Sequence, residues 1–229
     1  MADESSSPSG LVARLVSFSP GRPCGQEEIL EELRRVILAG DAAPGTAIPL
    51  GDVASFFAVS VIPVRESLKT LIGEGLVDHV PRQGYRVAEL TRDELRELYV
   101  IREVLEAAAL RSAVARATDD DDAVAVEVHA ALAAELAAND YRGYHRDSRR
   151  FHLALLAPSR MHRLLHMFEL VWNVTDPAQP MSTVTAVERE RMYADHSAML
   201  AAFLARDADE LVRRSRKHYK RLERAAGEV

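Results

Sequence analysis

Three histidines have the types and spacing best suited to chemistry in this chain, because each interrupts an otherwise apolar helical stripe. His152 shares one face with Tyr144, His145, Ser148, Phe151 and Leu155. His196 stands between Met192, Met199 and Phe203, and His218 between Leu211, Ser215 and Leu222, both at spacings of three and four. A single inward histidine is ordinarily a hydrogen-bonded core residue. Three on separate helices point to convergence on one ion, since imidazole is the commonest zinc ligand and also suits nickel and iron. A second pair, His162 and His166, has chelating i,i+4 spacing, but Arg160 and Arg163 beside it favour a surface or pocket-rim role. Arg102 lies within the stripe Leu95, Leu98, Leu105 and Ala109, and a buried guanidinium needs a partner. Glu106 one turn on could be that partner; the other reading is an anionic effector, whose carboxylate suits the planar fork.

A different chemistry is written into residues 59–72. Val64, Leu68, Leu71 and Ile72 recur at helical spacing and face a core, with Ser60 as N-cap and Pro63 in the first turn. Val61, Ile62, Arg65, Glu66 and Lys69 project from the other side. Cations and small apolar groups on the first turns of a helix are what reaches base edges in the major groove. An ordinary amphipathic surface helix would show the same pattern.

The elements that must position these residues read in order. Residues 26–39 form a helix with Ile29, Leu30, Leu33, Val36 and Ile37 on one stripe, ending at Gly40 before the Pro44-Gly45 turn. A short helix near Asp52–Phe57 and the turn Ala58-Val59-Ser60 lead into the helix above. Gly75 closes it, and Leu76–Val80 and Tyr85–Ala88 read as strands around Pro81-Arg82-Gln83-Gly84. Three helices and a hairpin in this order make a winged helix-turn-helix over residues 25–90.

Residues 91–229 show helical periodicity throughout and form an all-helical bundle. Thr91 with Glu94 opens it as a capping box. Helices follow over 119–138, where Asp119–Asp122 is a solvated run favouring a helix N-terminus, and over 141–157, 159–174, 184–205 and from 207. A loop with Pro177 and Pro180 spans 175–183. Residues 1–24, rich in Ser, Pro and Gly, read as a disordered arm in which Leu11–Phe18 could dock as a short element.

"LRRVILAGDAAPGTAI", "AVSVIPVRESLKTLIGEGLV" and "VPRQGYRV" resemble the DNA-binding domain of GntR-type bacterial transcription regulators. "LYVIREVLEAAAL", "FHLALL", "DHSAMLAAFLARDADEL" and "RKHYKRL" more weakly resemble the FCD effector domain of the FadR-type members. The first resemblance implies DNA contact by the helix that carries Ser60, Val61, Ile62, Arg65 and Lys69, and by the wing tip Arg82, Gln83 and Gly84. The second implies a divalent metal, zinc or nickel, on His152, His196 and His218, and a small organic acid as effector. Arg102, Tyr144, His145 and Ser148 are the candidates for holding that acid. The resemblance further implies a homodimer on a palindromic double-stranded operator, and repression relieved by ligand.

Two departures stand out. Where the family usually has arginine after V-S, this chain has Val61, and losing a guanine-binding fork should cost about 1–3 kcal/mol of discrimination at that base pair. Val61 and Ile62 offer thymine methyl contacts instead. The family's metal-ligating aspartate four residues before the first histidine is Ser148 here. Asp147 is turned about 140° from His152 around a helix of 3.6 residues per turn, against about 40° for Ser148. The vacancy implies a water or a weaker site.

A chain of 229 residues, 48% hydrophobic and with net charge -6, suits two soluble domains in the cytoplasm, and no apolar run approaches a membrane span. The acidic start and the short Leu11–Phe18 segment do not make a secretory signal. One cysteine, Cys24, excludes an intrachain disulfide. Counterion release depends on where Arg34, Arg35, Arg65, Lys69, Arg82 and Arg86 lie rather than on net charge. Two other readings stay open: a metal-free sensor of acyl-CoA or another ligand on the same fold, in which the histidines merely pack, and a tri-histidine metal hydrolase. No carboxylate is placed as a general base for the latter, and the expectation is a non-enzyme.

Overall fold

A computed structural model describes residues 10–17, 24–178 and 184–227. The described residues fall into two compact units: residues up to Leu90 together with Asp176–Ala178, and the rest of the chain from Thr91.

The first unit has α1 (Gln26–Leu38), β1 (Ala47–Ile48), α2 (Leu50–Phe56), α3 (Val61–Gly73), β2 (Val77–Val80) and β3 (Gly84–Val87). Ile29, Leu33, Val36 and Ile37 of α1 are buried against Val64, Leu68 and Leu71 of α3, so the periodic stripes do meet in one core. Ile72 does not join them and is 37% exposed. The buried place is taken by Ser67, whose hydroxyl donates to the carbonyls of Gln26 and Pro63 at 3.1 and 3.0 Å. Ser60 has extended N-cap backbone, yet its side chain makes no capping bond. The antiparallel sheet runs β1-β3-β2, with Val80 opposite Gly84 at the hairpin end. β1 is an addition, two residues long and too short to leave a periodic signal. Before α1, a 3-10 helix over Val12–Ser17 buries Leu11 and Leu15. The remainder of the expected arm lies outside the described residues.

The second unit contains α4 (Arg92–Val114), α5 (Asp119–Ala138), α6 (Tyr141–Leu156), α7 (His162–Thr175), α8 (Ala186–Leu204) and α9 (Ala208–Gly227). Thr91 and Glu94 form the capping box, with the Thr91 hydroxyl accepting from Glu94 N–H at 3.2 Å and the Glu94 carboxylate from Thr91 N–H at 2.8 Å. The aspartate run does more than face solvent. Asp121 caps α5 with Thr118, and Asp122 accepts a two-pronged bond from Arg206 at 2.7 and 2.9 Å. Asn139, left-handed at φ 56°, ends α5. Residues 157–159 form a 3-10 turn, so α7 begins later than its sequence suggests. The 175–183 loop contains a 3-10 turn at Asp176–Ala178, and its remainder lies outside the described residues.

α4 packs on α7 and α9, α9 on α8, and α5 on α6 and α8. The buried stripe of α4 is Tyr99, Arg102, Glu106, Ala109, Leu110 and Ala113, turned from the expected stripe because Leu95, Leu98 and Leu105 are only half-buried. Among the described residues no helix is long and apolar enough to cross a membrane.

Candidate functional site

Helices α6, α8 and α9 each deliver one imidazole to a common point. The ring centroids of His152 and His196 are 5.3 Å apart, those of His152 and His218 5.3 Å, and those of His196 and His218 4.6 Å. One potential ligand atom from each lies within 4.8 Å of the others, and all three side chains are buried. His162 and His166 are exposed and belong to no such group.

The hydrogen bonds show which ring nitrogens are committed. His152 Nδ1 is 2.8 Å from Glu106 Oε2 and His196 Nδ1 is 3.2 Å from the Tyr144 hydroxyl. The nitrogens left over, His152 Nε2 and His196 Nε2, have no partner, and neither has His218 Nδ1. Orphaned buried nitrogens are costly, roughly 1–3 kcal/mol each, unless something outside the protein satisfies them. Three orphans in one cluster, two of them on rings fixed from behind, form a donor set that fits a divalent metal bound through imidazole.

Of the two readings of Arg102, the one that gave it Glu106 as a local partner does not hold. Glu106 Oε2 takes His152 and the Tyr219 hydroxyl, both at 2.8 Å, and its Oε1 takes the Ser215 hydroxyl at 2.8 Å. Burial opposes its charge, but His152 and these three bonds together hold its pKa below the usual carboxylate range. Burial, then the neighbouring imidazoles, lowers His196 well below the ordinary value; burial, then His152 and Arg102, does the same for His218. Both are therefore neutral at pH 7, the form that ligates. A signal for Glu106 was present: Ser215 and Tyr219 stand i,i+4 on the helix of His218, each with a hydroxyl facing inward.

Arg102 is buried with its guanidinium carbon 3.4 Å from the centre of the Trp172 ring, donating to Thr175 Oγ1 at 3.3 Å. Its Nε and the Trp172 Nε1 remain without partners. Arg102, Trp172, His145, Ser148 and the three histidines line one cavity of about 20 Å³. That is room for one ion or one water. Tyr144 is not on its wall and acts on it only through His196. Asp147 faces away, bonded to Arg150 at 3.0 Å and Arg146 at 3.5 Å, so the helix geometry leaves Ser148 as the nearer side chain.

In the first unit, Val61 and Ile62 are 39% and 65% exposed on α3, next to exposed Ser60, Arg65 and Lys69. Arg34 cannot serve as a free phosphate contact: it is forked to Glu74 at 2.9 and 2.6 Å and also bonded to Glu31. Arg35 is held by Glu32 at 2.7 and 2.8 Å, and Arg86 is bonded to Gln83. Lys69 has only an exposed pairing with Glu66 at 2.8 Å. Arg65 and Arg82 carry no ion pair among the described residues. At the wing tip Gln83 N–H donates to Val80 O at 3.0 Å, and Arg82 sits at φ 67° with Gly84 at φ 88°. A left-handed arginine at a turn centre, where glycine or asparagine is usual, is a strained placement.

Comparison with known proteins agrees with both units. Residues 26–87 match the family described as bacterial regulatory proteins, gntR family, and residues 97–221 match the FCD domain. The HTH-type transcriptional repressor GlaR of Escherichia coli K12 is 32% identical over 194 residues, which cover 79% of this chain and 87% of that one. The HTH-type transcriptional regulator McbR of the same organism is 26% identical over 184 residues, covering 80% and 83%. The solved structure of E. coli McbR/YncC has the same fold, with TM-score 0.78 at 23% identity over 89% of this chain and 97% of that one. A putative GntR regulator from Rhodococcus sp. RHA1 also superposes at TM-score 0.78, with 22% identity over 89% and 98%. A winged helix with an exposed reading face, joined to a helical effector domain, is thus shared with transcription regulators rather than enzymes, and the chain belongs to the GntR family of DNA-binding regulators, in the branch that carries an FCD domain.

Proposed function

We propose that this regulator is a homodimeric repressor whose helical unit holds a divalent metal on His152, His196 and His218 and releases its operator on binding a small organic acid. The observation that carries the reading is the trio of orphaned buried imidazole nitrogens. When bound, a zinc or nickel ion would supply Lewis acidity toward a ligand oxygen. The chain's own residues do the rest. Glu106 fixes the tautomer and plane of His152, Tyr144 orients His196, and Ser148 lines the same cavity.

Arg102 and Trp172 supply the selectivity. Unsatisfied donors at Arg102 Nε and Trp172 Nε1 beside the cavity suit an acceptor-rich anion, and a carboxylate is the compact one. The cavity of about 20 Å³ does not hold such an acid, nor an acyl-CoA, without the Arg102 and Trp172 side chains moving apart. That movement gives the effector two states to distinguish, as coupling to DNA requires. Dimerisation is supported by α4, whose Val100, Ile101 and Val104 are 51%, 44% and 63% exposed, an apolar group on its outer face.

The test is selection of genomic fragments by the purified protein, then elution with di- and tricarboxylic acids, on metal-loaded and on chelator-stripped protein. Acid-dependent release confined to the loaded protein is the expected result. Release indifferent to the metal, or the absence of release by any acid, would overturn the proposal.

A further inference from the structure

We propose that the outer face of α9 is a second ligand site, for an anion carrying two or more phosphate groups and of the size of a nucleoside polyphosphate. The chain is acidic overall, with net charge -6. Yet an open groove of about 750 Å³ between α4 and α9 has seven Lys or Arg among its nine lining residues, with Asp209 as its one carboxylate. This volume is within the range of small-molecule sites.

Carboxylates meet part of this charge: Arg111 pairs with Asp209 at 2.6 Å, Arg213 with Glu210, Arg216 with Glu103 at 3.4 Å, Lys217 with Asp195 at 3.6 Å, and Arg221 with Asp195 and Glu188 at 2.7 and 3.6 Å. Lys220 and Arg224 have no ion pair among the described residues and are exposed. Along α9 the pairs Arg213/Lys217, Arg216/Lys220 and Lys220/Arg224 all stand at i,i+4, where like charges destabilise a helix. A bound polyanion relieves that repulsion. The stripe from Arg213 to Arg224 spans about 16 Å of helix rise, so a single carboxylate meets only a fraction of it. Charge spread over linked phosphates meets several forks at once, and guanidinium geometry suits phosphate oxygens. The opposite face of the same helix carries Ser215, His218 and Tyr219, so the site is separate from the histidine cavity.

The experiment is calorimetric titration of the full-length protein with sodium tripolyphosphate at constant ionic strength. It is repeated on Lys220→Glu/Arg224→Glu, whose exposed positions leave the core intact, with thermal unfolding as the check. The expected result is micromolar binding weakened at least tenfold in the variant. A random-sequence DNA duplex is titrated in parallel into Arg65→Ala/Arg82→Ala protein, to tell a small phosphate ligand from a nucleic-acid backbone. Millimolar or absent tripolyphosphate binding, equal binding by the variant, or capture of the duplex alone would each overturn the proposal.

Discussion

Glu106 is the residue on which the histidine cluster depends, because one buried carboxylate fixes the His152 ring while accepting hydroxyls from Ser215 and Tyr219. Removing its charge while keeping its shape isolates that role. Glu106→Gln should keep the helical content and lower affinity for zinc by about 10–100-fold, the usual cost of losing an orienting partner; competition with a chromophoric chelator reads it, and unchanged affinity would remove Glu106 from the account. Arg82 is the corresponding candidate at the proposed DNA-binding end. Its left-handed backbone is a conformation glycine adopts freely, so Arg82→Gly should leave unfolding unchanged or slightly improved while weakening operator binding severalfold in an electrophoretic mobility assay. A loss of stability in step with the loss of binding would instead make Arg82 a structural residue.

Between elements, the seam of α5 and α6 holds a strained pair of acids. Burial, then the hydrogen bond and charge of Asp147, push the Glu135 carboxyl up to about 7, while Arg146 at 2.9 Å only partly offsets this. An unfolded glutamate titrates near 4.5, so between the two values the folded chain holds the extra proton. The contribution of this group is therefore full below about 4.5 and declines as pH rises to about 7. Glu135→Gln should stabilise the protein at pH 8, by at most about 3 kcal/mol, and by much less at pH 5. Denaturation at the two pH values checks it; an equal difference at both would contradict the assignment.

The same scale shows what the sequence could and could not tell. Stripes such as Met192-His196-Met199-Phe203 were legible because burial on one side of a helix imposes its period on the residues themselves. Thr91 and Asn139 marked helix ends for local reasons of capping and left-handed backbone. β1 was not legible, since two residues carry no period, and the α4 stripe was legible at Arg102 and Ala109 but not at its edge, where leucines mimic a core face while Tyr99 and Glu106 are the residues buried. For the site, three imidazoles in three stripes sufficed to suggest convergence. The partners behind them showed only as the i,i+4 hydroxyls Ser215 and Tyr219; the bond from α6 to Glu106 on α4 joins residues 46 apart, which no local pattern encodes. Arg34 and Arg35 looked available for phosphate for the same reason, their partners being set by packing.

For the whole molecule, an acidic chain that binds DNA must rely on few contacts. With Arg34, Arg35 and Arg86 occupied, each protomer offers chiefly Arg65, Lys69 and Arg82. In the proposed dimer these would neutralise about six phosphates, and log affinity should fall against log salt with a slope near −5. Arg65→Ala should reduce that slope by about two in a dimer. A wild-type slope near −10 would mean that other basic surfaces engage DNA, the outer face of α9 among them.

The central claim is that three imidazoles from α6, α8 and α9 hold one ion. X-ray absorption at the metal edge of zinc-loaded, tag-free protein tests it most directly: the account predicts one equivalent of metal with three imidazole nitrogens at about 2.0–2.1 Å and the remaining ligand an oxygen. A spectrum fitted by oxygen ligands alone, or unchanged when His196 is replaced by alanine, would contradict it.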